Sequence, residues 1–155
     1  MFVPRPQREP VNLRSIERAI ARAERRGPRP ELAHLYLDRV EALLEQGEDH
    51  EAELQLGTLL QLLDRLQGRQ ARLLRLKALA RRVHFHRRDG EGFEGALDDL
   101  QEALSLLATG EGPQSGEEAE LEVELWIQLG HLLLLGDQEG AGPALARAVE
   151  LADAL

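Results

Sequence analysis

The chain contains no cysteine, and that absence excludes several kinds of site. It can form no disulfide, no cysteine nucleophile and no thiolate metal site. Because disulfides belong mainly to oxidising compartments, the lack of cysteine favours a cytoplasmic location. The first ten residues hold three prolines but no apolar core of the length that a signal peptide needs. We expect residues 1–10 to be a flexible N-terminal lead-in.

Signals for strands and for membrane spans are also missing. Aromatic residues make up only 3% of the chain, and no stretch alternates apolar and polar residues as a half-buried strand does. The longest purely aliphatic run, Leu132 to Leu135, is far shorter than a membrane span, so we expect no membrane association. Leucine, alanine, glutamate, arginine and glutamine dominate instead, and all of them favour helix. The composition therefore predicts an all-α protein.

The residues that catalysis or metal binding would need are not arranged for either. His84 and His86 stand two residues apart, which places them on different faces of a helix and makes them poor co-ligands. His34 and Asp38 have helical spacing but lack a third ligand of the kind that zinc-binding HExxH helices use. No serine lies in a nucleophile turn, and no strand leads into a phosphate-binding loop. We predict no catalytic residue, no cofactor site and no metal site.

The chain does contain a pattern that recurs about every 44 residues. A glycine and several acidic or small residues precede an alanine that opens an apolar run, and the alanines Ala52, Ala96 and Ala141 are 44 and 45 residues apart. A second apolar residue stands seven positions after each of these alanines, at Leu59, Ala103 and Ala148. A fixed period in this range is typical of stacked helical hairpins. We interpret the alanines as the small residues that a close helix crossing needs.

Helix start and stop signals predict about seven helices in a single domain over residues 11–155. An initial helix over 12–26 has Asn12 placed as its cap. The other six helices form three pairs, with units of about 31–67, 69–108 and 116–155. Most connections are only a few residues long, which predicts antiparallel neighbours.

Three further end signals are specific. Pro30 stands at the first position of the second helix, where its missing N–H costs nothing. Ser115 precedes Glu118 by three residues, the spacing of a capping box at the start of the sixth helix. Asp49 is placed to cap the third helix, which we expect to continue to about Gln67.

The third unit has the spacing of a known repeat. Trp126, Leu129, Gly130 and Leu133 match its first-helix signature, and the second-helix signature is matched by Ala141, Leu145 and Ala148. Together with the turn before Ala52, these residues resemble the tetratricopeptide repeat family over about residues 31–155. The resemblance implies antiparallel hairpins stacked as a right-handed α-α superhelix, in a longer-helix variant found in bacterial regulators. It also implies a non-enzymatic adaptor or scaffold for protein–protein interaction, with the first helix of each pair lining a concave groove.

Charge is unevenly distributed along the chain, whose net charge is −9. Residues 65–88 contain eight arginines and one lysine but no acid. If first helices line a groove, the resemblance places a mixed basic and apolar set of side chains there: Glu41, Lys77, Arg81, Phe85, Arg88 and His131. Such a groove would suit an acidic peptide segment. Alternatively, the arginines pair with acids of the same chain, such as Asp98, Asp99 and Glu102 in the following helix.

Other functions remain as alternatives. A nucleic-acid partner is not favoured, because stacking aromatics, a groove-reading motif and an overall basic charge are all lacking. The sixth helix is apolar on several sides near Leu132 and Leu134, and a second copy of the chain could cover it, which would make the protein a homodimer. The second hypothesis is a regulatory or oligomerisation module of a bacterial signalling or transcription system. The third and least favoured is an all-helical enzyme or small-ligand carrier, which a pocket with converging polar residues would support.

Overall fold

The structure, a computed structural model, describes residues 12–88, 92–109, 112–136 and 138–155, with Arg88 described by its backbone alone. Within these ranges the chain forms helices and no strand, which confirms the all-α prediction. The helices are α1 (Leu13–Glu24), α2 (Pro30–Glu45), α3 (Asp49–Leu63), α4 (Arg69–Arg88), α5 (Phe93–Ala108), α6 (Gly116–Leu135) and α7 (Ala141–Asp153). The lead-in predicted for residues 1–10 lies outside the described ranges.

The chain divides into two compact units, residues 1–67 and 68–155. The boundary falls between the predicted units 31–67 and 69–108. None of the helices formed by the described residues combines the length and apolarity that a bilayer crossing requires.

In the first unit, α2 packs against both α1 and α3. The predicted cap of α1 is confirmed, since the Asn12 Oδ1 accepts the Arg14 N–H at 3.0 Å. Pro30 is the first residue of α2, as predicted. Asp49 was expected to cap α3 but is its first helical residue, and Glu48 stands at the cap position without a side-chain hydrogen bond. The chain thus enters α3 one residue earlier than the capping pattern indicates.

The second unit contains two hairpins, α4 with α5 and α6 with α7, and α6 packs against both α4 and α5. Arg72 in α4 pairs with Glu118 near the start of α6, and the ends of the same two helices meet around one cavity. The two helices therefore run in the same direction. Arg72 and Glu118 are 46 residues apart, close to the repeat interval, so equivalent positions of successive hairpins lie side by side in this unit. The superhelix of three stacked pairs stays a prediction.

The repeated small residues are buried, as predicted. Ala52, Ala96 and Ala141 are all in the core, and so are the apolar residues seven positions after them. The crossing of α6 and α7 also depends on a glycine. A Cβ added to Gly130 would lie 2.6 Å from the Leu145 side chain and 3.5 Å from the Ala141 carbonyl oxygen. A side chain at position 130 would therefore require the Leu145 side chain to move.

We expect Gly130→Ala to destabilise the protein by about 1–3 kcal/mol, because the new methyl group would displace the Leu145 side chain. Gly142 offers a matched control in α7, because an added Cβ there has no neighbour within 4 Å. Gly142→Ala should be neutral or should stabilise by up to about 1 kcal/mol. Urea unfolding of both variants, followed by circular dichroism, makes the comparison. Equal midpoints for the two variants would mean that α6 and α7 do not approach closely at Gly130.

Candidate functional site

The basic helix α4 is neutralised in part by acids of the same chain. Four of its cations make ion pairs with residues of α5 and α6, namely Arg72 with Glu118, Arg75 with Glu102, Lys77 with Glu117 and Arg82 with Asp99. The predicted alternative of pairing within the chain is confirmed for these four residues. In two of these pairs the acidic side chain, Glu118 or Asp99, is buried. A buried carboxylate needs a compensating cation.

Arg72 connects three parts of the second unit. Its Nε donates to Glu118 Oε1 at 2.8 Å, and its terminal nitrogens donate to Thr109 Oγ1 at 3.3 Å and to the Gly112 carbonyl at 3.1 Å. One guanidinium thus ties α4 to the end of α5, to the following connection and to the first turn of α6. Because the Glu118 side chain is only 2% exposed, this contact replaces most of the hydration that the carboxylate loses on folding.

Asp99 holds a second buried cluster, between α4 and α5. Arg82 donates to both of its carboxylate oxygens, at 2.9 and 2.7 Å, and His86 Nε2 lies 3.2 Å from Oδ2. The Nε2 atom of His86 thus faces the Asp99 carboxylate. The His86 ring is partly exposed while Asp99 is buried. The carboxylate therefore fixes the orientation of a histidine that still reaches the surface.

A cavity of about 740 Å³ opens next to this histidine and is called here the His86 cavity. It lies among the end of α4, the start of α5 and the end of α6, all within the second unit. Polar side chains on its wall come from His84, His86 and Arg87, and apolar ones come from Phe93, Leu132 and Leu135. The described part of the chain contains no group of three or more histidines or acids that could hold a metal ion. The cavity therefore offers donors and apolar surface to an organic group.

Glycines allow the walls of the cavity to approach one another. A Cβ at Gly92 would collide with the His86 backbone, and one at Gly95 would lie 2.8 Å from the His86 ring. A Cβ at Gly136 would collide with the Phe93 ring. Because the backbone and ring of His86 and the ring of Phe93 occupy the space that these side chains would need, the shape of the cavity depends on glycine at all three positions.

The structure places four of the predicted groove residues as follows. Lys77 and Arg81 lie four residues apart on α4, where Lys77 pairs with Glu117 and Arg81 is exposed. His131 is exposed on α6, the helix that runs beside α4. Glu41 is half-buried in α2 and belongs to the first unit. A common groove for these residues stays a prediction.

For the other two predicted groove residues, Phe85 and Arg88, the structure describes no side chain that lines a groove. Phe85 is 3% exposed, so its ring belongs to the core and not to an open groove. The physical reason is that α4 has apolar residues on two sides, and both sides are buried. Leu76 and Val83 lie on one side, and Phe85 lies on the other with Leu74 and Ala78. The side chain of Arg88 lies outside the described part of the structure.

Sequence reasoning missed the buried acid that orients His86, although a signal was present. Asp99 stands three residues after Ala96 and next to Leu100, on the helix face that the repeat marks as buried. A charged residue at a core position must have a partner, so its position alone predicts a cation nearby. The glycines around Phe93 were a second signal, because closely spaced glycines at a helix start often mark a close approach.

The first unit holds a polar contact whose titration can be measured. The Tyr36 hydroxyl donates to Glu24 Oε1 at 3.0 Å. Burial first, and then the hydrogen bond and charge of Glu24, raise the pKa of Tyr36 from 10.0 to about 12. The neutral phenol is thus favoured in the folded protein. Its contribution to stability is complete below pH 10 and is lost as the pH rises through about 12.

We expect the phenolate absorbance of the folded protein to appear with a midpoint near pH 12. Tyr36 is the only tyrosine in the chain, so the signal has one source. Glu24→Gln should lower the midpoint without returning it to 10.0, because burial is the larger cause. Circular dichroism recorded at each pH shows whether the protein is still folded. A midpoint at 10.0 in protein that retains its helical signal would contradict this assignment.

Comparisons with known proteins do not place the chain in a family. No protein-family model matches it, and no curated protein is significantly similar to it in sequence. The resemblance to tetratricopeptide repeats therefore rests on the residue pattern alone, and the function has to be argued from the residues described above.

Proposed function

We propose that the protein is a non-enzymatic helical-repeat adaptor that binds an acidic segment of another protein through the hairpin of α6 and α7. The observation that carries this proposal is the position of the exposed apolar side chains. Among the described residues, five of the six large hydrophobic side chains that are exposed belong to this hairpin and its end: Ile127, Leu134, Leu135, Val149 and Leu155. Exposed apolar side chains concentrated on one element are typical of an interaction surface.

Three residues of α6 form a continuous stripe on this surface. Ile127, His131 and Leu134 are spaced by four and three residues, which places them on one face of the helix. All three are exposed in the structure. We call them the α6 stripe. A partner helix could lay its own apolar side chains along such a stripe.

Positive charge at one end of the α6 stripe favours an acidic partner. Leu135, which follows Leu134, lines the His86 cavity together with His84 and Arg87. Arg87 is exposed and lies on the cavity wall, where its guanidinium can meet an acidic side chain of a partner. Complementary charge beside buried apolar anchors increases the association rate and the specificity of an interface. For a short peptide we expect micromolar affinity, about −8 kcal/mol.

Selection from a displayed random-peptide library tests the proposal without a known partner. We expect the wild-type protein to enrich peptides in which aspartate or glutamate stands beside large apolar residues. Leu134→Glu should weaken a selected peptide at least about tenfold in fluorescence anisotropy, since it removes apolar contact and repels acid.

The first unit provides a matched control for this substitution. Leu54 in α3 is 61% exposed and Leu134 is 59% exposed, so both tolerate glutamate equally well as surface residues. Leu54→Glu should leave peptide binding unchanged. If the library yields no enriched peptides, or if both variants lose binding to the same extent, the proposed surface is wrong.

The same exposed side chains favour a second candidate, a regulatory or oligomerisation module in which another copy of the chain covers the α6 stripe. Light scattering at increasing concentration separates the two functions. A dimer that Leu134→Glu dissociates and Leu54→Glu does not would support oligomerisation. A monomer at every concentration would exclude it and leave the stripe to a different partner.

A further inference from the structure

The His86 cavity has properties that an adaptor does not need. Its volume of about 740 Å³ lies within the range of small-molecule sites, which are concave, largely apolar and supplied with a few polar groups. Phe93, Leu132 and Leu135 provide the apolar part of the wall, and His84, His86 and Arg87 provide hydrogen-bond donors. An occupant must therefore combine an apolar body with acceptor atoms.

The charge of the described wall identifies the kind of acceptor. Arg87 brings one permanent positive charge, and none of the described lining residues is an acid. Asp99, the nearest buried carboxylate in contact with the wall, already binds Arg82 through both oxygens and does not cancel that charge. One guanidinium matches one negative charge, and its planar donor pair fits a carboxylate. A doubly charged phosphate would retain an uncompensated charge.

The site is arranged before any ligand arrives. Asp99 holds the ring of His86 through Nε2, and Arg82 holds Asp99. Phe93 packs against Gly136, where any side chain would collide with its ring. Because these groups are fixed by the protein, little ordering is needed on binding.

From the volume and the described wall, with its apolar side chains and the Arg87 guanidinium, we propose that the His86 cavity is a binding site for a small organic monocarboxylate with an aromatic or branched apolar body. Arg87 binds the carboxylate, and Phe93 and Leu135 contact the apolar body. The site adjoins the surface proposed for a peptide and shares Leu135 and Arg87 with it, but its test uses a small molecule and does not depend on a peptide partner.

A titration of the full chain with 4-phenylbutyrate tests the proposal. Nuclear magnetic resonance should show saturable shifts of the Gly92, Gly136 and Gln138 amides, which lie on the cavity wall. The neutral analogue 4-phenylbutyramide should bind at least about tenfold more weakly, and so should acetate, which lacks the apolar body. Equal affinity for the acid and the amide would overturn the proposed role of charge. The absence of saturable shifts up to millimolar 4-phenylbutyrate would overturn the site itself.

Two surface variants probe the two halves of the site without threatening the fold. Arg87→Gln should weaken 4-phenylbutyrate at least about tenfold, and Leu135→Gln should weaken it severalfold. Arg69→Gln is the matched control, because Arg69 is an exposed arginine at the opposite end of α4. If Arg69→Gln weakens binding as much as Arg87→Gln, the interaction is non-specific and the proposal fails. Leu134 lies outside the cavity wall, so Leu134→Gln, which adds no charge beside Leu135, should impair peptide binding and leave 4-phenylbutyrate binding unchanged.

Discussion

Replacing Arg72 with methionine is expected to lower the free energy of unfolding by about 3–5 kcal/mol. The variant leaves the Glu118 carboxylate, 2% exposed, without its cation in the interior of the second unit. It also removes the donors for Thr109 Oγ1 and for the Gly112 carbonyl. Removal of one member of a buried pair costs more than the pair itself contributes, because an uncompensated charge remains.

The second half of this test is the apolar double variant. Adding Glu118→Leu to Arg72→Met should restore most of the lost stability, since well-packed apolar residues replace a buried ion pair at little or no cost. Trp126 lies in α6 and is the only tryptophan, so its fluorescence during urea unfolding reports on the second unit. The wild type, the two single variants Arg72→Met and Glu118→Leu, and the double variant form a double-mutant cycle, which gives the coupling energy between the two side chains.

Lys77 provides the control for Arg72. It also pairs with an acid of α6, Glu117, but both side chains are well exposed. Lys77→Met should therefore change stability by less than about 1 kcal/mol. If Arg72→Met costs no more than Lys77→Met, the contact between Arg72 and Glu118 contributes no more than a surface ion pair.

Replacing Ala96 with phenylalanine is expected to cost about 3 kcal/mol or more. Ala96 is fully buried in α5, at the repeat position that also contains Ala52 and Ala141. A ring at this position requires the α4–α5 hairpin to open or the surrounding leucines to leave their rotamers, because protein interiors contain few voids of that size.

Ala146, an exposed alanine of α7, is the control for Ala96. Ala146→Phe should stay within about 0.5 kcal/mol of the wild type. Urea unfolding followed by Trp126 fluorescence compares the two variants within one unit. Similar midpoints would show that the alanine of the repeat does not mark a close crossing.

The helices could be predicted from the sequence because their signals are local. Apolar spacing and glycine breaks predict a helix from Arg69 to Arg88, and the structure has it with these bounds. The predicted end of α3 was wrong, because no local signal marks it. The helix stops at Leu63 instead of near Gln67, although Arg65 and Leu66 are good helix formers. Since no breaker occurs before Gly68, the sequence contains no sign of the earlier end.

The buried contact between Arg72 and Glu118 could not be predicted, because its partners are far apart in the chain and no local pattern joins them. Ser115 Oγ accepts the Glu118 N–H at 3.1 Å, as the capping pattern predicts. The Glu118 carboxylate, however, binds Arg72, which is 46 residues away. Phe85 differs from its prediction for the same kind of reason. Its burial depends on which neighbouring elements cover α4, and helical periodicity alone contains no such information.

The parallel course of α4 and α6 has a consequence for how the protein could change in evolution. The two helices are related by nearly one repeat interval, so a tandem duplication of about 45 residues would add a hairpin whose packing residues are already present in the gene. The length of such a chain can therefore vary in whole hairpins, while an insertion of a few residues within a helix would shift every small residue away from its crossing.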